Sequence, residues 1–386
     1  MLRFLTRRLL SGLVTLFLFT SLLFFAIEIW LPGDYASQLI GMDLSEKAEL
    51  RRMLGLDLPL LQRYLLWLKN LLTLNLRAFT PYGLGEPVVD IIARVLPPTL
   101  LVFGVGTWIA FTLGFWLGRA TSWRMPAVLK GTATASAIAL YTSFPPWLSF
   151  LMVYVFAERL GLPPTIPTMD LRQRASPMGA TDVMMRMLLG LVIVFALLQG
   201  LNSLMNRLIR WRMPSLIFLT LLLSGWAASW QVFGLFEPSL AIGRGAALPT
   251  ATFALLSFGE IMLIMRTSMA DTVFEDYVFA ARAKGLQEKS VRDRHAARTA
   301  MLPVMARMVS SIPYLLAGLV MVETSAKVSG MGTTLLYAVG RQDLPTSLGG
   351  LMIIGMISLV SRLVLEVAQA ALDPRLRRLP SMPGAV

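Results

Sequence analysis

The sequence has no cysteine among its 386 residues and a single histidine, His295. Without thiols there are no disulfides, no thiolate metal sites and no cysteine nucleophile. One histidine argues against an imidazole metal site or a Ser-His triad. No G-x-x-x-x-G-K-[ST] stretch occurs, so the chain cannot cradle ATP phosphates in the P-loop manner. Charge is scarce as well: 15% of residues are charged, against about 25% in an average soluble domain. What fills the space is apolar. Hydrophobic residues make up 56% of the chain, in several runs that reach the roughly 18–20 residues needed to cross a bilayer. The expected fold is an all-α membrane protein, a polytopic helical bundle. The net charge of +13 then suits loops on the cytoplasmic side better than nucleic acid.

Eight apolar stretches qualify as spans: Leu9–Trp30, Thr99–Gly118, Gly131–Ala157, Val183–Leu201, Pro214–Leu235, Ala247–Met269, Leu302–Val322 and Gly349–Ala371. The first follows Arg3, Arg7 and Arg8 and runs too long for a signal peptide, so it is read as uncleaved, with a cytoplasmic N-terminus. With that start, 21 of the 35 Lys and Arg residues fall on the cytoplasmic side. Glu158–Arg186, with Arg159, Arg172, Arg174 and Arg186, is the one short loop that runs against the positive-inside trend. Both termini are expected in the cytoplasm.

Residues 1–98 form the first expected unit: one span, then a segment on the outer face. In it, Asp43 starts a helix with Glu46 at the third position, and Gly55 stops it. Leu61, Tyr64, Leu65, Leu68, Leu71 and Leu72 make one apolar helical face, with Arg63 off it. Pro87–Leu96 gives a short helical pattern that stops at Pro97-Pro98. Residues 99–386 form the second unit, and Glu237–Leu248 reads as a short polar loop within it. Pro145 and Pro146 interrupt the third span. Such breaks are tolerated in lipid only under protein cover or beside water, so they are candidates for lining a pathway or for a purely structural kink.

One polar stretch stands out, Asp271–Pro303. Phe274–Lys284 and Glu288–Met301 read as two helices. Ala280, Ala281 and Ala283 favour the first, Gly285 suits its left-handed cap, and Pro303 marks re-entry to the membrane. Small residues let another surface approach closely, while charges set register.

The order Asp276-Tyr277-Val278, Ala281-Arg282-Ala283-Lys284-Gly285-Leu286, Arg294-His295-Ala296 and Leu302-Pro303 resembles the cytoplasmic loop of ABC importer permeases of the dipeptide/oligopeptide/nickel branch. Further matches run along the chain: Pro32-Gly33-Asp34, Leu54-Gly55-Leu56-Asp57, Glu323, Gly330, Gly332, Arg341-Gln342-Asp343-Leu344-Pro345 and Asp373-Pro374-Arg375. Departures are Phe279 where the general loop has glutamate, Ser329 where proline is usual, and residues 183–235, which look like a helical pair added to a six-span core.

The resemblance implies a role as one permease of a pair. Its partners would be a paralogous permease, two ATPase subunits and an extracytoplasmic binding protein, all at a bacterial cytoplasmic membrane. It implies that Tyr277, Ala280, Ala281, Arg282, Ala283, Lys284, Gly285, Leu286, His295 and Pro303 couple to the ATPases. This chain would hold no cofactor and no metal, and would catalyse nothing itself. Peptides are the implied solute, with nickel or another small solute as the alternative. An ion-gradient-driven transporter is the rival class. Glu260, inside a span, either faces the pathway or pairs with a cation of the partner permease. Arg362 and Glu366 are spaced as a helical ion pair, and Met262, Met265 and Met269 read as packing.

Overall fold

The computed structural model describes residues 2–30, 33–39, 41–73, 75, 86–123, 125–163, 166, 179–208, 213 and 215–372. Among them all regular structure is helical. The Asp373-Pro374-Arg375 match, Pro32, Arg172 and Arg174 lie outside the described residues.

Helix α1 (Leu2–Trp30) is followed by the short α2 (Tyr35–Gln38), then α3 (Leu44–Met53) and α4 (Leu60–Leu72). Asp34 caps α2 by accepting from Ser37 N at 2.8 Å, and Arg51 Nε donates to it at 2.6 Å. That hydrogen bond holds the Asp34 carboxyl below its ordinary range. Asp43 and Glu46 form the expected capping box of α3.

α4 packs on α1 by only part of the expected face, Tyr64, Leu68 and Leu71. Leu61, Leu65 and Leu72 are exposed, while Trp67 is buried against Phe24 and Tyr64 bonds Ser21 at 3.0 Å. Arg63, expected off the packed face, turns inward to pair with Glu28 on α1. The reason is charge. A carboxylate within a span needs a partner, and this pairing turns Leu61, Leu65 and Leu72 outward while Leu68 and Leu71 stay packed.

α5 (Val88–Ser122) runs straight through Pro97 and Pro98, where a stop was expected. The boundary at 98/99 therefore falls inside one helix. Proline frees the carbonyl four residues earlier, and here the Arg94 carbonyl accepts from Thr181 Oγ1 at 3.4 Å.

α6 (Ala127–Thr142) and α7 (Pro145–Met152), the latter running on as a π-helix over Val153–Arg159, replace the expected third span. They meet at 110°, with the break at the expected prolines. Pro145 occupies the first turn of α7, where its missing N–H costs nothing. The added pair is present as α8 (Ala180–Leu208) and α9 (Ser215–Val232), tied by a hydrogen bond from Trp226 Nε1 to the Met187 carbonyl at 2.8 Å.

α10 (Phe236–Thr272) begins before the residues read as a polar loop. Ser239, Ile242 and Ala246 are buried there, so packing decides and that loop does not exist. After α10 come α11 (Asp276–Ala283), α12 (Glu288–Ser290), the π-helical turn Val291–Ala296 and α13 (Ala297–Ser325), the last three forming one continuous rod. α14 (Met331–Gly340) and α15 (Leu344–Leu372) complete the bundle. Among the described residues six helices are long and apolar enough to cross a membrane, and the bent α6–α7 pair brings the number to seven when counted as one span. α9 is an eighth apolar helix of 18 residues.

The centre is the α5–α10 contact. In lipid the water-driven hydrophobic term is absent between helices, so close packing must supply association. Gly106, Ala110, Gly114 and Gly118 repeat every four residues on α5 and are all buried. A methyl at Gly118 would sit 2.7 Å from the Met262 carbonyl, and one at Gly114 2.8 Å from Ile261. Met262, Met265 and Met269 are fully buried, as expected of packing residues.

Candidate functional site

The polar stretch forms a compact knob at one end of the bundle. α11 ends in a Schellman motif. Gly285 sits at φ +73°, its N–H donates to the Arg282 carbonyl at 2.9 Å, and Leu286 N–H reaches back to the Ala281 carbonyl at 3.4 Å. Only a residue tolerant of positive φ serves there.

Three-residue spacing splits α11 into two faces. Val278 and Ala281 are buried with Met265 and Met269 of α10 and Ala297 and Ala300 of α13. Tyr277, Ala280, Ala283, Lys284, Gly285 and Leu286 are exposed, beside Phe274 and Phe279. Ala281, grouped with the contact surface on sequence grounds, thus anchors the knob rather than presenting itself.

Arg282 also faces inward. It pairs with Glu288 at 3.1 Å and lies over the Trp123 ring at 5.3 Å. Trp123 Nε1 donates to Glu288 at 3.0 Å. Below it, Arg119 of α5 reaches Asp293 at 3.4 Å, and Arg292 holds the same carboxylate at 2.6 Å. Each contact is worth only about 0.5–1 kcal/mol where exposed. Together they clamp the knob to the end of α5. His295 is exposed on the rod, and Pro303 lies inside α13 without interrupting it. The sequence reading missed Trp123 and Arg119. The signal available was an aromatic and a cation at the end of a span adjoining the polar stretch.

A second polar centre lies within the bundle. Glu260 of α10 accepts from Arg307 Nε at 2.7 Å and Ser311 Oγ at 3.0 Å, both on α13. Its charge is answered within this chain, whereas the partner permease was the cation donor considered from sequence. Gly259 beside it lets α6 cross closely, since a side chain there would overlap the Ala137 carbonyl. α6 thereby brings Tyr141 to Arg307. Pro145 and Pro146 follow directly, half-buried, at the start of α7.

At the opposite end, Glu323 is fully buried. It accepts from Thr99 Oγ1 at 2.6 Å, Gly332 N at 2.7 Å and Thr333 N at 3.3 Å. The positive end of α14 and its unpaired N–H groups thus hold a carboxylate. Arg362 and Glu366 form the expected pair at 3.2 Å.

Two family profiles match the chain: "Binding-prot-dependent transport system membrane comp, N-term" over residues 1–102 and "Binding-protein-dependent transport system inner membrane component" over residues 110–378. A Brucella suis protein named as a peptide permease is 29% identical over 382 residues, covering 98% of this chain and 99% of that one. The di/tripeptide transport system permease of Pseudomonas aeruginosa is 26% identical over 381 residues, with 98% and 99% covered. The glutathione transport system permease of Escherichia coli K12 is 28% identical over 394 residues, with the same coverage. With a family match over most of its length and a bundle of apolar helices carrying a clamped polar knob, this chain belongs to the binding-protein-dependent transport system inner membrane components, the permeases of ABC importers.

Proposed function

We propose that this chain imports peptides as one of two permeases in a complex with two ATPase subunits and an extracytoplasmic binding protein. The observation that carries the coupling is the clamp between the knob and α5. ATPase subunits docked on Ala280, Ala283, Lys284, Gly285 and Leu286 would push a body tied to α5 by Arg282, Trp123 and Glu288, and to α10 and α13 by Val278 and Ala281. A push there moves three packed helices together. That suits alternating access, in which ATP binding favours one of two arrangements of the pathway. Tyr277 and His295 flank the docking face. The chain itself holds no nucleotide and performs no catalysis.

In this reading the residues before α5 form a span with an extracytoplasmic helical segment, and α5 onward forms the permease unit. Residues 183–235 are a hairpin inserted at its edge, and both termini are cytoplasmic. The peptide assignment draws on the relatives' names, since three of them are named for peptide, di/tripeptide and glutathione transport.

Vesicles holding the assembled complex test this. Uptake of labelled peptide should require both ATP and the binding protein. Uptake that follows an ion gradient without ATP would overturn the coupling, and ATP-driven uptake of nickel but not peptide would overturn the solute. A reporter fused at Asn206 should read as cytoplasmic, and an external reading would overturn the topology.

A further inference from the structure

The exposed face of α13 is not built for lipid. Pro303, Ala306, Arg307, Ser310, Pro313, Tyr314 and Ala317 line it at steps of one and three, and all are exposed. The Arg307 side chain is 53% exposed, while its partner Glu260 is 11% exposed. An arginine facing hydrocarbon costs at least about 2.5–3.5 kcal/mol. Arginines near a span end escape this by snorkelling. Arg307 does not, because Glu260, nine residues inside the apolar run that ends at Met269 and about 14 Å along α10 from that end, fixes its Nε. Pro313 adds a separate argument. It frees the Val309 carbonyl inside the span, which lipid cannot satisfy. Charge and backbone therefore agree that this face meets water or protein.

We propose that Arg307 is a specificity-determining residue that reads a carboxylate of the solute during its passage between the two permeases, an inference that rests on the peptide-import reading above. A guanidinium has five N–H donors in a planar fork suited to carboxylates. Glu260 takes the Nε edge, and the exposed remainder meets the pathway. Glu260 and Ser311 fix its position, and Tyr141 stands beside it. Because Glu260 already neutralises the charge, the attraction for a carboxylate is weak. A transit site needs that weakness, since a tightly held solute would not leave. Every unmodified peptide offers a terminal carboxylate, so one arginine serves many sequences.

The absence of cysteine makes the test direct. Ser310→Cys places the chain's lone thiol one turn from Arg307, on the exposed face. In the full complex in vesicles, a neutral water-soluble maleimide should label it. A millimolar tripeptide should slow labelling at least threefold, and the same tripeptide amidated at its C-terminus should slow it less than half as much. Adding Arg307→Gln should abolish the difference between the two peptides, and Arg307→Lys should restore part of it. An unreactive thiol, equal protection by both peptides, or a difference that survives Arg307→Gln would each overturn the proposal. ATP-driven peptide uptake by the same vesicles separates this from the underlying reading. If uptake is absent, peptide import itself fails, whereas intact uptake with equal protection removes only the role of Arg307. Should Arg307→Gln fail to assemble, the Arg307→Gln/Glu260→Gln pair removes both charges together and must also lose the discrimination.

Discussion

Gly285→Val is expected to leave the importer assembled and hydrolysing ATP while uptake falls about tenfold or more, the loss of roughly 1.4 kcal/mol or more of productive docking. Nothing lies within 4 Å of the position a Cβ would take, so the new side chain meets no clash inside this chain. The backbone is the difficulty. At φ +73° a β-branched residue is strained by about 1–2 kcal/mol. Relaxing that strain breaks the Leu286–Ala281 hydrogen bond and displaces Lys284–Leu286. If the strain is tolerated, the side chain stands on the docking face instead. Gly285→Asn separates the two effects, because asparagine accepts positive φ and adds less apolar bulk. It should retain more uptake than valine. The readout is the ratio of peptide transported to ATP hydrolysed, measured in one preparation. An unchanged ratio in the valine variant would remove the knob from the coupling path.

Gly332→Val should instead act on folding. A methyl at Gly332 would lie 2.8 Å from Glu323 Oε2 and 2.8 Å from the Val320 Cα. Neither neighbour yields cheaply. The carboxylate is the shared acceptor for Thr99, Gly332 and Thr333, and Thr99 itself accepts from Met331 N at 2.7 Å. Displacing it orphans buried donors at about 1–3 kcal/mol each, a large share of the roughly 5–15 kcal/mol that stabilises a typical protein. Little of the variant should accumulate in the membrane, and what does should melt well below the parent in detergent. Glu323→Gln keeps the volume and one acceptor oxygen, so its effect should be milder. Parental abundance and melting of Gly332→Val would contradict the tie between α13 and α14.

Local chemistry was legible in the sequence and distant pairing was not. Gly285 after an alanine-rich turn reads as a helix cap from spacing alone, and the cap is there. The Asp43–Glu46 capping box and the Arg362–Glu366 pair are equally local. Pro97-Pro98 misled because the hydroxyl that takes up a freed carbonyl comes from Thr181, 87 residues away. Arg63 misled for a similar reason, since its inward turn depends on Glu28 in another helix. Glu260 had its partner 47 residues on, and nothing in the intervening pattern marks Arg307 as that partner. One global feature was open to reading. Gly106, Ala110, Gly114 and Gly118 lie at a strict step of four, a sign of close helix packing in membranes. It is masked by the bulky apolar residues between them.

The central claim is that the exposed face of α11 is where the ATPase subunits act. In this cysteine-free chain, Ala283→Cys gives one thiol on that face, and Thr324→Cys gives a control at the other end of α13. Each is loaded with a maleimide photo-crosslinker in the assembled, transport-active complex. The expected result is an adduct between this chain and an ATPase subunit from Ala283→Cys, changing in yield with ATP, and none from Thr324→Cys. Intact uptake with no ATPase adduct at Ala283→Cys would contradict the account.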